Sequence, residues 1–368
     1  MPHQPLRILD ANLNRLSEGL RFLEDIARFL LDDADLSREL KALRHALVDE
    51  ARSLNTKLLS QRNSEHDVGL NLDAIASQSL ERSEGTANQS RQDLPGLIRA
   101  NARRAEESLR VIEELAKLPD ISPMLDSARF EQGRFALYHL EKSLSFRILR
   151  QDKTKQLSGL YVILDRQALA GKSELAVAKQ IIQGGARAIQ LRDKQGKKGE
   201  LLSLAQKLKA LCAESGTLFI INDYLDLALA VDADGLHIGQ EDLPLFVIRK
   251  ELPIDKIVGI SVTTIGQAVK AQSEGADYIA VGSVFPTASK KKVTVLGIDR
   301  LKEIRQVISC PLVAIGGINE DNIDQVMSAG VDSIAVISAV LNREDVKGAT
   351  QQLVAKMDFA SSVSYKAS

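Results

Sequence analysis

Cysteine is scarce in this chain of 368 residues: there are two, Cys212 and Cys310. Two cysteines exclude a disulfide scaffold and a cysteine-rich zinc module. Each sits among apolar neighbours, Leu-Cys-Ala and Ser-Cys-Pro-Leu, and is expected to be a buried structural thiol. An excess of one charge is lacking as well. With 48 Lys and Arg against 49 Asp and Glu the net charge is −1, so composition gives no electrostatic case for nucleic acid or an anionic membrane as partner. No uninterrupted apolar run approaches the roughly 20 residues of a membrane span. The N-terminus, Met1-Pro-His-Gln-Pro-Leu-Arg7, has no basic stretch leading into an apolar core, so no signal peptide is expected and a cytoplasmic protein is the default. What is present, 44% hydrophobic and 26% charged residues, is the mix of a soluble globular protein. The length favours two domains at roughly 100–200 residues each.

Composition changes near residue 150. Residues 1–150 hold 5 of the 23 glycines, 18 Arg and 4 Lys, whereas residues 151–368 hold 18 glycines, 7 Arg and 19 Lys. The polar stretch Gln151-Asp-Lys-Thr-Lys-Gln156 has no apolar period and reads as a linker, placing the domains at 1–150 and 151–368. The first is expected to be all-α. Leu9, Leu13, Leu16, Leu20, Leu23, Ala27 and Leu30 recur at steps of four and three, one stripe of a helix, and Ile98, Ala102, Ala105, Leu109, Ile112 and Ala116 do the same. Polar positions repeat at an offset of 89 residues: Asn12 with Asn101, Arg15 with Arg104, Glu18 with Glu107, Arg21 with Arg110, and Glu24 with Glu113. This is an internal duplication, with apolar seams suited to a bundle or to a homo-oligomer assembled through the helical half. On other readings the repeated Asn/Arg/Glu stripe lines a second catalytic pocket, or forms surface ion pairs.

From residue 157 onward short apolar runs alternate with amphipathic stretches. The runs are 160–164, 188–191, 218–221, 235–238, 257–262, 278–284, 311–315 and 333–337, with helices expected at 174–183, 201–213 and 265–273 among others. Gly184-Gly185-Ala186, Gly275-Ala276-Asp277 and Gly330-Val331-Asp332 supply left-handed helix caps. Continuous apolar strands with helical crossovers mean a parallel sheet covered on both faces, and eight units favour a closed (β/α)8 TIM barrel. Chemistry in such a barrel sits at the carboxyl ends of the strands.

Those ends carry charge and glycine. Gln190, Arg192 and Lys194 alternate and so share a face, which suits a phosphate or pyrophosphate; a strand-end ion pair with Asp193 or a neighbouring acid is the alternative. Asp223 and Asp242 close strands 3 and 4 and suit one magnesium ion held with substrate phosphates, or else they cap helices. After strand 6, Phe285-Pro-Thr-Ala-Ser-Lys-Lys-Lys292 is a loop able to close on an anion, or a solvated basic loop. Gly316-Gly317 after strand 7, with Ser338 after strand 8, suits phosphate on backbone amides, or forms a tight turn without ligand. His237, the single histidine of this half, reads as a packed core residue.

The ordered set Gln190-Leu-Arg-Asp-Lys194, Ile221-Asn-Asp223, Gly235-Leu-His-Ile-Gly-Gln-Glu-Asp242, Gly259-Ile-Ser261, Phe285-Pro-Thr-Ala-Ser-Lys290, Ala314-Ile-Gly-Gly-Ile318 and Val336-Ile-Ser338 resembles thiamine-phosphate synthase over about residues 157–345. The resemblance implies a transferase of thiamine biosynthesis. It would join 4-amino-2-methyl-5-hydroxymethylpyrimidine diphosphate to a thiazole phosphate, releasing pyrophosphate by a dissociative, magnesium-assisted route. It implies that Gln190, Arg192, Lys194, Asn222, Ser261 and Lys290 hold the pyrimidine diphosphate, with Arg192, Lys194, Ser261 and Lys290 carrying the catalysis. Asp223 and Asp242 would be the Mg²⁺ ligands, and Thr287, Ser289, Gly317, Ile337 and Ser338 the thiazole-phosphate site. Ser289 stands where the family has threonine, and keeps the hydroxyl. Two rivals share the pattern in part: a thiazole tautomerase-like barrel, and a non-enzymatic phosphate-ligand sensor.

Overall fold

A computed structural model describes residues 4–51, 54–59, 94–287 and 294–367, which fall into two units, Met1–Ile148 and Leu149–Ser368. In the first unit the two apolar stripes become α1 (Gln4–Asp25) and, after α2 (Ala34–Glu50) and α3 (Asn55–Leu59), α4 (Leu94–Leu115). α1 packs along α4, and every stripe residue named above is buried except Leu30, which is half-buried. Gly19 sits where the two helices approach: a Cβ there would lie 3.1 Å from both the Ala105 Cβ and the Asn101 carbonyl. α5 (Ser127–Gln156) completes the unit as far as Ile148, and its last turns belong to the second.

The duplication reaches beyond the seam. Asn12 and Asn101 each donate a side-chain N–H to the carbonyl four residues back, both at 2.8 Å. Glu24 and Glu113 are buried, and each receives an arginine from the following helix: Arg44 of α2 at 2.9 Å and Arg134 of α5 at 3.2 Å. The other repeated charges, Arg15, Glu18 and Arg21 with Arg104, Glu107 and Arg110, are solvent-facing. The repeated polar positions are therefore divided among bonds to their own helix, interhelical ion pairs and exposed surface. Gln151–Gln156 is no linker. These residues are the last turns of α5, held by polar contacts in place of an apolar stripe: Lys153 Nζ donates to the Asp255 carbonyl at 3.0 Å, and Gln156 to the Gly216 carbonyl.

In the second unit eight parallel strands close into a barrel in sequence order: β1 (Gly159–Asp165), β2 (Ala188–Arg192), β3 (Leu218–Asn222), β4 (Gly235–Ile238), β5 (Ile257–Val262), β6 (Tyr278–Val281), β7 (Leu312–Ile315) and β8 (Ser333–Val336). Alternation sends Tyr161, Ile163, Ala188, Leu218, Ile220, Tyr278 and Ala280 into the interior, and the residues between them into the shell beneath the helices. Gly259 admits the Tyr278 ring, which any Cβ there would overlap. Gly185, Gly275 and Gly330 take φ of 94°, 90° and 77°, the left-handed caps that the sequence requires. The aspartates after such turns do more than end helices. Asp234, Asp277 and Asp332 accept from the first or second backbone N–H of the preceding strand, at Phe219 (3.0 Å), Val258 (2.7 Å) and Leu312 (2.8 Å). Each also binds a cation from a flanking helix: Lys209, Arg249 and Arg305. A repeated clamp thus sets the register at the bottom of the barrel. Cys212 is buried, as expected, but Cys310 is only half-buried; burial pushes the two thiols up to about 12 and about 11. Among the described residues no helix is long and apolar enough to cross a membrane.

One strained spot lies between α4 and α5. Burial, and then the Glu141 carboxylate, push Glu106 up to about 7, and its Oε1 is buried without a hydrogen-bond partner. A carboxyl whose folded pKa is raised costs the fold stability as pH climbs from the ordinary value to the raised one. Glu106→Gln is expected to raise the melting temperature at pH 8 by a few degrees and to leave it unchanged at pH 4, read by thermal circular dichroism.

Candidate active site

The carboxyl ends of the strands surround a cavity of about 410 Å³. Gln190, Arg192 and Lys194 reach it from β2, Asn222 and Asp223 from β3, Asp242 from the loop after β4, and Ser261 from β5. Thr287, Gly317, Ile337 and Ser338 line it from the ends of β6, β7 and β8. Every site residue expected from the sequence that is described lies on this one cavity; Ser289 and Lys290 lie outside the described residues.

Local geometry sets each side chain. Asp223 adopts φ 64°, a conformation that few non-glycine residues take, and donates its backbone N–H to the His237 carbonyl at 2.8 Å. Its carboxyl is raised above the usual range, first by burial and next by Asp242, with Lys194 and Arg192 pulling the other way. Lys194 Nζ lies 3.7 Å from Asp223. Neither aspartate caps a helix. The helix Leu225–Ala230 starts from Tyr224 and the helix Leu245–Glu251 from Pro244, while Asp242 accepts from the Gly239 N–H within its own loop at 2.6 Å. Burial and the neighbouring Asp242 disfavour charge on Asp223, and a divalent cation relieves such crowding. Among the described residues no group of three or more acidic, His or Cys ligands gathers, so a metal here needs ligand oxygens from a substrate or water.

Of the two readings of strand 2, the structure shows the ion pair with a neighbouring acid. Arg192 faces the cavity and is also ion-paired, but to Asp165 at the end of β1, its neighbour in register. Asp193 turns away to Arg166 at 2.7 Å. Asp165 is 6% exposed and also accepts from the Gln167 N–H at 2.9 Å, so its carboxylate is fixed. It was not among the expected site residues, although an acid ending β1 one strand from Arg192 was the available signal. On the far wall Gly316 and Gly317 take φ of 101° and 70°, and a Cβ on Gly317 would strike the carbonyls of Phe285 and Pro286. Only glycine lets the backbone pass so close.

At the floor of the cavity, which His237 lines, and beneath it lie polar groups that the sequence hides inside apolar runs. His237 is buried, with Nδ1 3.0 Å from the Tyr278 hydroxyl and Nε2 2.9 Å from Ser261 Oγ. The Tyr278 and Tyr161 hydroxyls are 3.1 Å apart, and Gln190 Nε2 donates to Tyr161 at 2.6 Å.

A family model described as thiamine monophosphate synthase matches residues 160–340, and one described as the ThiD2 family matches residues 7–143. A thiamine-phosphate synthase of Synechocystis is 39% identical, over 95% of this chain and 96% of its own length. The chain belongs to the thiamine-phosphate synthase family. Its members are transferases of thiamine biosynthesis, and relatives with both units are matched along nearly their whole length. Others have the barrel alone: the thiamine-phosphate synthase of Clostridium tetani is 45% identical over 53% of this chain and 93% of its own. A solved thiamine phosphate pyrophosphorylase of Pyrococcus furiosus aligns at 42% identity with a TM-score of 0.53, over 56% of this chain and 98% of its own.

Asp165 makes the orientation of Arg192 testable in a synthase assay. Asp165→Asn removes the ion pair but keeps the shape, and is expected to lower kcat/KM for the pyrimidine diphosphate by roughly tenfold, the cost of freeing one oriented charge. Unchanged steady-state constants would show that Arg192 holds its place without Asp165.

Proposed function

We propose that the barrel joins 4-amino-2-methyl-5-hydroxymethylpyrimidine diphosphate to a thiazole phosphate, giving thiamine phosphate and pyrophosphate. The observation that carries this is the convergence of seven strand ends on one cavity, with cations on β2 facing a carboxylate pair on β3 and β4 and a glycine turn on β7. A thiazole tautomerase has no need of the first two sets, and a passive phosphate sensor has no need of two anion sites in one cavity.

The division of labour follows from charge. Arg192, Lys194 and Ser261, with Lys290, hold the diphosphate; Gln190 and Asn222 hold the pyrimidine end. Thr287, Gly317, Ile337 and Ser338, with Ser289, hold the thiazole phosphate. Asp223 and Asp242 would hold Mg²⁺, which supplies positive charge to the diphosphate oxygens when bound. The bond from the pyrimidine methylene carbon to the diphosphate oxygen breaks with its electron pair leaving on pyrophosphate. The electron-rich aminopyrimidine bears the resulting cation, and the thiazole nitrogen lone pair forms the new C–N bond. No proton moves in that step, so no general base is required. The protein's contributions are preorganised charge at the leaving group and alignment of the nucleophile. Free thiols and the absence of a spanning helix among the described residues accord with a cytoplasmic setting. The helical unit is outside this chemistry, and assembly into a homo-oligomer is the role we assign it.

Formation of thiamine phosphate from the two purified substrates and Mg²⁺ is the direct test. Arg192→Ala is expected to lower kcat by roughly 100–1,000-fold, as for loss of one preorganised charge, with the fold intact. Asp223→Ala is expected to shift the Mg²⁺ titration to higher concentration; an unchanged titration removes Asp223 from the metal site. Since relatives exist as the barrel alone, residues 149–368 are expected to keep kcat/KM within about threefold while the oligomeric state seen by light scattering changes.

A further inference from the structure

A continuous line of hydrogen bonds crosses the barrel at the floor of the cavity, from Gln190 on β2 through Tyr161 on β1, Tyr278 on β6 and His237 on β4 to Ser261 on β5. The chemistry above has no use for the three middle members, yet it needs both ends. We propose that Tyr161, Tyr278 and His237 are positioning residues that carry one hydrogen direction across the barrel, so that Gln190 presents an acceptor and Ser261 a donor to the aminopyrimidine diphosphate. This deepens the reading of the site above and rests on its placement of that substrate.

The direction follows from counting hydrogens. Gln190 Nε2 donates to the Tyr161 hydroxyl at 2.6 Å. Tyr161 is 1% exposed and Tyr278 0%, so neither hydroxyl can turn its hydrogen to bulk water, and burial keeps both phenols protonated. A buried hydroxyl hydrogen without an acceptor is costly. The hydrogen of Tyr161 therefore goes to Tyr278, 3.1 Å away, and that of Tyr278 to His237 Nδ1 at 3.0 Å. A neutral imidazole that accepts at Nδ1 carries its hydrogen on Nε2, which donates to Ser261 Oγ at 2.9 Å. Ser261 keeps its own hydrogen for the cavity that it lines, and Gln190, with its nitrogen turned to Tyr161, keeps Oε1 for the same cavity.

Both ends then suit one molecule. A hydroxyl donor suits an anionic phosphate oxygen, and an amide acceptor suits the exocyclic amine of an aminopyrimidine. Reversing every hydrogen spoils both ends at once: Gln190 would turn an NH₂ toward an amine, and Ser261 a lone pair toward an anion. Stacking fixes the line in place, with the His237 and Tyr278 rings 5.6 Å apart and 25° from parallel. Gly259 supplies the space for the Tyr278 ring. The Ser261 carbonyl accepts from Gln240 Nε2 at 2.8 Å, which holds the receiving end.

The direct measurement is the tautomer of His237. In the full-length protein with His3, His45, His66 and His139 replaced by Gln, one imidazole signal remains, and ¹⁵N-edited NMR reads it. Hydrogen on Nε2 and none on Nδ1 is the expected result; hydrogen on Nδ1 alone overturns the proposal. Tyr161→Phe and Tyr278→Phe each break the line while keeping the ring. Each is expected to lose roughly tenfold in preference for the 4-amino over the 4-oxo pyrimidine diphosphate, as a site with an unpaired polar group does. The KM for the thiazole phosphate should not move. The double variant should be no worse than either single one, because a line already broken is not broken again. Wild-type preference in both single variants, or losses that add, overturns the proposal. A parent enzyme that forms no thiamine phosphate would sink the substrate placement instead, and the tautomer would still decide the direction of the line.

Discussion

Asp223 and Asp242 press two carboxylates against each other at the cavity mouth, with Lys194 and Arg192 close by. Like charges so placed repel unless a cation joins them, and the fold contains nothing among the described residues that would complete a metal cage. On the function proposed above, a ligand that carries anionic oxygens together with a divalent ion would finish the site. The diphosphate proposed above would do so, with the surrounding positive charge favouring its departure.

Such crowding of charge persists because the barrel cannot relax it. Each of β3, β5 and β7 begins against an aspartate clamped at the bottom of the barrel, and the shell packs the outer face of every strand. A closed sheet has no edge along which a strand could slide. Fixed registers then place Arg192 opposite Asp165 and Asn222 opposite His237. The same rigidity suits the hydrogen-bond line from Gln190 to Ser261, whose members come from five different strands.

Much of this is legible in the residues themselves. Strand positions follow from short β-branched runs, helix ends from Gly185, Gly275 and Gly330, and the helical duplication from a seven-residue rhythm repeated at a fixed offset. The misreadings share a cause. Residues 151–156 lack an apolar stripe and yet are helical, because Lys153 and Gln156 are held by polar partners distant in sequence. Asp165, Tyr161 and Tyr278 look like the end and the filling of apolar strands, and gain roles only through neighbours on other strands.

Local rules read along the chain determined the order of the elements, the duplicated helical half, the strand ends at which to search and most of the charged groups found there. Periodicity, glycine conformation and charge are properties of a segment and its near neighbours, so they survive in one dimension. Tertiary structure alone decided that Arg192 is tied to Asp165, that Asp223 and Asp242 meet at one cavity instead of capping helices, and that a histidine and two tyrosines link Gln190 to Ser261 across the barrel. Those facts depend on which strands lie side by side and on where closure of the sheet brings their side chains, and distance along the chain records neither.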